Sequence, residues 1–153
     1  MRKKNIALVA HDSMKHEMTE WVEFNKVKLA EHRLVCTGTT GKLVRDMLST
    51  SIKELHGEDF EVIRLFSGPL GGDQQLGAMI SEGKIDVLIF FWDPMQPQPH
   101  DVDVKALLRI AVLYNIPTAS NRSSADHLIS SPLFLTDYQP KKRDFQSYLN
   151  RKL

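Results

Sequence analysis

The stretch "DVLIFFW", Asp86 to Trp92, runs without a polar residue from Val87 to Trp92. A short, unbroken apolar run of this kind predicts a strand covered by helices on both faces, as in the middle of a parallel sheet. Shorter runs rich in β-branched residues recur along the chain. Five strands are predicted: Ile6 to Ala10, Leu34 to Thr37, Val62 to Phe66, Val87 to Phe91 and Thr118 to Ser120. Between and after them the apolar residues take helical spacing, which predicts helices at Met14 to Glu31, Thr40 to Leu55, Gln74 to Glu82, Val104 to Tyr114, Ser124 to Ser130 and Phe145 to Arg151. Strand and helix in alternation build a parallel sheet, so the expected fold is α/β: a doubly wound five-stranded parallel sheet flanked by helices. With 153 residues, 42% of them hydrophobic, a single domain over 1–153 is expected. Leu43, Val44, Met47 and Leu48 form one apolar helix face, and Met14, Met18 and Trp21 read as core or interface.

Several function classes are set aside at this stage. Lysine plus arginine (20) nearly balances aspartate plus glutamate (19), so no net charge draws the chain to nucleic acid or an anionic membrane. The apolar run near the N-terminus is broken by His11 and Asp12, unlike a signal peptide, and no segment approaches the roughly 20 apolar residues of a membrane span. Cys36 stands alone, its neighbours in "RLVCT" suggesting a buried thiol in a reducing compartment. A cytoplasmic protein is expected. "TGTTGK" has two residues between its glycines where a P-loop has four, and "GPLGGD" lacks the GxGxxG spacing of a dinucleotide site. Neither His11 nor His100 has metal-ligand spacing, so no metal is expected.

Ligands of open parallel sheets bind outside the carboxyl ends of the strands. Each predicted strand here is followed by a polar loop: "HDSMK", "TGTTGK", "SGPLGGD", "WDP" with its continuation through His100, and "SNRSS". "TGTTGK", Thr37 to Lys42, offers hydroxyls and backbone N–H groups to an anion, or is simply a turn capped by Thr39 or Thr40. Lys15, four residues after His11, can face the same side and neutralise a phosphate, or be a solvated helix residue. His11 and His100, flanked by Asp12 and Asp101, are the two histidines on this rim; each is either hydrogen-bonded to a nearby aspartate or satisfies a loop carbonyl. "DPMQPQPHDVD", Asp93 to Asp103, carries three prolines and forms a shaped loop. Asp73, Asp93, Asp101 and Asp103 bring carboxylates to the rim. A carboxylate can take a proton from carbon beside a carbonyl if an electrophile stabilises the resulting oxyanion, and Asp73 is placed for that role unless it only caps a helix.

Together "IALVAHD", "TGTTG", "SGPLGGDQQ", "GAMISEGKIDVLIFFWDP" and "PHDVDVKALLR" closely resemble methylglyoxal synthase, from about Asn5 to Asn121 and in the same order. The resemblance implies a lyase that turns dihydroxyacetone phosphate (glycerone phosphate) into methylglyoxal and inorganic phosphate without cofactor or metal. It implies Asp73 as the catalytic base and His100 as the group that polarises the carbonyl, oriented by Asp103. It places the substrate at His11, Lys15, Thr37, Gly38, Thr39, Thr40, Ser67 and Gly68, with Asp12 and Asp93 as further carboxylates of the site. It also implies a homohexamer regulated by phosphate, with a C-terminal arginine, here Arg151, reaching a neighbouring active site. The segment Lys42 to Phe66 is longer than in some relatives, with "SIKELHGED" as the surplus. An effector-binding module of the same fold and a sugar-phosphate isomerase are the rival readings. A pure sensor would have no need of Asp73 and His100 together.

Overall fold

The computed structural model describes residues 2–56 and 61–152, except for the side chains of residues 50 and 52–56. Five parallel strands form one sheet in the order β3-β2-β1-β4-β5: β1 (Asn5–Ala10), β2 (Arg33–Thr37), β3 (Val62–Leu65), β4 (Val87–Phe91) and β5 (Thr118–Ala119). The expected strands are all present, with ends shifted by at most one residue. The connection at 57–60, within the polar "ELHGEDFE" and the surplus "SIKELHGED", lies outside the described residues.

The even-numbered residues of β1 and the odd-numbered ones of β4 face one core. Ile6, Leu8, Val87, Ile89 and Phe91 pack there with Met18, Trp21, Val44, Leu48 and Ile129. These partners come from α1 (Lys15–Phe24), α3 (Gly38–His56) and α6 (Arg122–Ser130). The alternate residues Ala7, Val9, Leu88 and Phe90 face a second core, filled by Leu76 and Ile80 of α4 (Gly72–Ser81) and Val104 and Leu107 of α5 (Asp101–Leu113). A pleated strand turns successive side chains to opposite faces, so an apolar run with no polar break needs helices on both sides. Each large side chain so buried contributes on the order of 1.5–3 kcal/mol. Cys36 is buried, and burial pushes its thiol up to about 12.

The helix expected over Met14 to Glu31 is divided. A 3₁₀ turn (Asp12–Met14) precedes α1, and α2 (Lys26–Ala30) follows a break at Asn25, whose side-chain Nδ2 donates to the Trp21 carbonyl at 2.9 Å. An asparagine amide that competes for backbone groups in this way favours a break over a continued helix. Of the apolar stripe in α3, Val44 and Leu48 are buried while Leu43 is exposed.

The chain steps outward from β1 through β2 to β3, then crosses back to lay β4 on the other side of β1. The resulting switch point opens a crevice at the carboxyl ends of β1 and β4. At the opposite, amino edge, the segment from Thr136 to Phe145 straps across the sheet. Lys4 Nζ donates to the Thr136 carbonyl at 2.5 Å, the Arg2 N–H to Asp137 at 3.0 Å, and Asn115 Nδ2 to the Lys141 carbonyl at 2.9 Å. The final helix, α7, is only Gln146–Leu149. Among the described residues no helix is long and apolar enough to cross a membrane.

Candidate active site

His11 is the first residue past β1. Its backbone N–H extends the ladder to the Phe91 carbonyl at 3.2 Å, which fixes the side chain over the crevice. Nδ1 accepts the Asp93 backbone N–H at 3.1 Å, so the neutral ring carries its proton on Nε2. Nε2 is buried and has no partner among the described residues, so it is a donor held in reserve. Burial, then the nearby His100, holds His11 below the ordinary histidine range, while the Asp93 carboxylate pulls it back up in part.

The loop after β3 folds back on itself. Leu70 and Gly72 N–H groups both donate to the Ser67 carbonyl, at 2.9 and 3.0 Å. Gly72 allows this closure: a Cβ there would stand 1.9 Å from the Phe66 carbonyl oxygen. α4 starts at once, with Asp73 in its first turn and 3% exposed. No side chain caps α4, so the capping role for Asp73 is not what the structure contains. Asp73 Oδ2 is buried without a hydrogen-bond partner among the described residues. Burial raises the Asp73 carboxyl above the ordinary carboxylate range; His100 opposes the rise and Asp103 adds to it.

His100 stands at the start of α5, where the proline-bearing loop delivers it. Its Nε2 lies 3.6 Å from Asp73 Oδ2, and its ring meets His11 edge-on with centroids 5.9 Å apart. Gly68 faces both catalytic candidates: a Cβ on it would lie 2.7 Å from His100 Nε2 and 3.2 Å from Asp73 Oδ2. The missing side chain leaves open the space in which a reacting atom would meet a carboxylate and an imidazole together. A cleft of about 230 Å³ occupies that space, bounded also by His11, Lys15 and Ser67.

At its other end the cleft is lined by Thr37, Gly38 and Thr39, where the 19-residue helix α3 begins. The Gly38 N–H is taken by the Phe66 carbonyl at 3.1 Å, and the positive end of the α3 dipole beyond it favours an anion there. Lys15 adds a positive charge, its Nζ bound to Asp12 at 2.7 Å. That contact holds the Asp12 carboxyl below its ordinary value. Thr40 is buried just behind, its hydroxyl without a partner among the described residues and not serving as a cap.

Some expected contacts take another form. Neither flanking aspartate partners its histidine: Asp12 turns outward to Lys15, and Asp101 pairs with Lys105 at 3.0 Å. Asp93 serves His11 through its backbone, while its carboxylate accepts from Ser13 Oγ at 2.5 Å and the Met95 N–H at 2.9 Å, contacts that hold it below the usual range. Asp103 bonds the His100 carbonyl through its own N–H at 2.9 Å, and His100 Nδ1 has no partner among the described residues. Its influence on the site is therefore by charge. Arg151 lies over the Tyr148 ring, 3.7 Å from its centroid, and does not line the cleft of its own chain. Two residues escaped the sequence reading: Gln98 lines the cleft, and Ser13 anchors Asp93. Gln98 sits between two prolines two residues before His100, a spacing that marks it as held in place. Among the described residues, no cluster of three or more histidine, cysteine, aspartate or glutamate side chains could hold a metal ion.

Residues 17–120 match the family model described as "MGS-like domain". The chain is 65% identical to methylglyoxal synthase of Maridesulfovibrio salexigens, over 98% of both chains. It is 53% identical to methylglyoxal synthase of Proteus mirabilis, over 98% of this chain and 92% of that one. The crystal structure of methylglyoxal synthase from Elizabethkingia anophelis NUHP1 superposes with a TM-score of 0.84 at 49% identity, covering 99% of this chain and 93% of the other. At such identity over nearly its full length, and with the same fold, the chain belongs to the methylglyoxal synthase family.

Proposed function

We propose that this protein is a lyase that converts glycerone phosphate to methylglyoxal and inorganic phosphate, with Asp73 as base and His100 as electrophile. The observation that carries the reading is the buried Asp73 carboxylate, whose Oδ2 has no hydrogen-bond partner among the described residues and lies 3.6 Å from His100 Nε2, at the wall of a cleft whose other end offers Lys15 and the start of α3. Raised basicity and an oxygen free of hydrogen bonds suit a carboxylate to proton abstraction.

The substrate's phosphate sits against Lys15, Thr37, Gly38, Thr39, Thr40, Ser67 and Gly68. Asp73 takes a proton from the carbon that bears the free hydroxyl, and His100 stabilises the oxygen of the former carbonyl. The hydroxyl oxygen of the resulting ene-diolate, on losing its own proton, forms the aldehyde carbonyl. The double bond moves to the carbon that held the phosphate, and the C–O bond to phosphate breaks. The departing enol gains a solvent proton on that terminal carbon to give the methyl group of methylglyoxal. Triosephosphate isomerase also uses a carboxylate base and a histidine on this substrate, with loop closure excluding water. A lyase differs by aligning the phosphate C–O bond with the π system and receiving the leaving charge. The His11 Nε2–H supplies a second donor to the substrate, while Asp12 and Asp93 hold Lys15 and His11 in place.

The proposal includes a cytoplasmic homohexamer inhibited by inorganic phosphate, with Arg151 serving a neighbouring subunit's cleft.

Incubation of the purified, chelator-treated protein with glycerone phosphate should release methylglyoxal and phosphate in equal amounts. Accumulation of glyceraldehyde 3-phosphate would instead make the cleft an isomerase site, and binding without turnover would make it a sensor. Lys15→Met removes the cation proposed to meet the phosphate. It should lower kcat/KM about 10- to 100-fold, the scale of a hydrogen bond to a charged group, as read from steady-state kinetics. The base must be ionised to work, and Asp73 ionises above its ordinary value of 3.8. The acid limb of kcat/KM against pH should therefore fall at a higher pH than an exposed aspartate would give, and a limb at or below 3.8 would contradict the assignment.

A further inference from the structure

At the far end of the sheet from the cleft, beneath the 136–145 strap, lies a second cavity of about 490 Å³. Ligand pockets commonly fall between about 300 and 1,000 Å³. Its walls are mainly apolar, built by Ile80, Ile85, Ile116, Leu133, Phe134 and Phe145 from α4, the approach to β4, the approach to β5, the turn after α6 and the strap. Four cations also open onto it: Arg2, Lys4, Lys142 and Arg143.

The acids beside them are already committed. Asp86 pairs with Arg2 and accepts the Asn5 N–H at 2.8 Å, and Glu82 pairs with Lys84. Asp137 is exposed, does not line the cavity, and accepts the Arg2 N–H. Lys4 is 6% exposed, and its ammonium contacts only the Thr136 carbonyl oxygen, at 2.5 Å, with no carboxylate in ion-pair range among the described residues. Lys142 and Arg143 at the rim also have no ion-pair partner among the described residues. The Asp137 carboxylate feels the Lys4 charge from beyond ion-pair range. A buried ammonium with no carboxylate in direct contact is only partly compensated, and an anion that reaches it recovers part of the remaining cost.

We propose that this cavity binds a small amphipathic carboxylate, its apolar chain between Ile80, Ile116 and Phe134 and its head at Lys4, with Lys142 and Arg143 drawing the anion in. One buried ammonium matches one carboxylate. A free phosphate dianion would bring more charge and hydration than Lys4 can satisfy, and it would leave the apolar walls bare. The site shares no lining residue with the active-site cleft, and the inference stands apart from the proposed reaction.

The test is a titration of the full-length protein with octanoate, followed by NMR of isoleucine methyl groups. Ile80, Ile85 and Ile116 should shift together along one saturable curve, while Ile63 of β3 stays in place. Octan-1-ol, with the same chain and no charge, should bind at least about tenfold more weakly, as loss of a charge-assisted contact implies. Lys4→Met should weaken octanoate at least about tenfold, and Lys142→Gln with Arg143→Gln at least about threefold. If Lys4→Met fails to fold, the rim variant and the alcohol comparison decide the matter. Saturating inorganic phosphate should leave the shifts unchanged. Absence of shifts, as when another copy of the chain fills the cavity, would overturn the proposal. So would equal binding of alcohol and carboxylate, an unaffected rim variant, or displacement by phosphate.

Discussion

Asp73→Asn is expected to lower methylglyoxal formation at least ~10²-fold while leaving the protein folded and no less stable. The substitution keeps the shape of a side chain that is 3% exposed and removes the proton acceptor. Its effect on stability has a definite sign. Because burial raises the Asp73 carboxyl in the folded state, its protonated form favours folding; that contribution is complete below the unfolded value and is lost as pH rises through the folded one. At neutral pH the ionised group therefore works against folding, with His100 offsetting part of the cost. The asparagine, which carries no charge, should melt at the same temperature as the parent or higher. Activity and melting curves measured on the same preparation check both halves. An active variant would remove Asp73 as base, and a strongly destabilised one would show that its role is structural.

Gly72→Ala is expected to damage fold and activity together, although it adds one methyl group. That methyl would stand 1.9 Å from the Phe66 carbonyl oxygen, 2.8 Å from the Phe66 carbonyl carbon and 3.0 Å from that of Ser67. All three are backbone atoms and cannot swing aside as a side-chain end can. The turn must open, breaking the contact from the Gly72 N–H to the Ser67 carbonyl and moving the first turn of α4, which carries Asp73. Overpacking of this kind costs about 3 kcal/mol, which at this chain length lowers Tm by roughly 6–12 °C. A displacement of about 1 Å at Asp73 also costs on the order of 10²-fold in rate. Thermal melting and kcat should both fall. A variant with the parent's Tm and kcat would mean that the loop has slack the structure does not show.

The sheet was legible because its strands are short, apolar runs with both faces covered, and "DVLIFFW" leaves little alternative. The break at Asn25 was not legible: apolar spacing continues across it, and the competing bond from its side chain to the Trp21 carbonyl depends on local geometry. A parallel sheet gathers the loops that follow its strands at one edge, so Asp73 and His100 could be expected on one rim although far apart in sequence. What each carboxylate touches could not be read that way. Asp12 and Asp101 stand beside histidines in the sequence but turn to Lys15 and Lys105, whereas Asp93 reaches His11 through its backbone N–H. The cavity beneath the strap was hidden for a similar reason, since its walls come from segments spread between Arg2 and Phe145.

The origin of the hydrogen that Asp73 removes is the most direct test of the proposed reaction. Glycerone phosphate bearing one deuterium, placed stereospecifically on the hydroxyl-bearing carbon, should give methylglyoxal whose aldehyde position either keeps all of that deuterium or loses all of it, according to which face the single carboxylate reaches. Substrate with both hydrogens of the phosphate-bearing carbon replaced by deuterium should keep both in the methyl group, joined there by one solvent proton. Partial retention at the aldehyde, or deuterium lost from the methyl group, would contradict a single fixed base at Asp73 acting on the hydroxyl-bearing carbon.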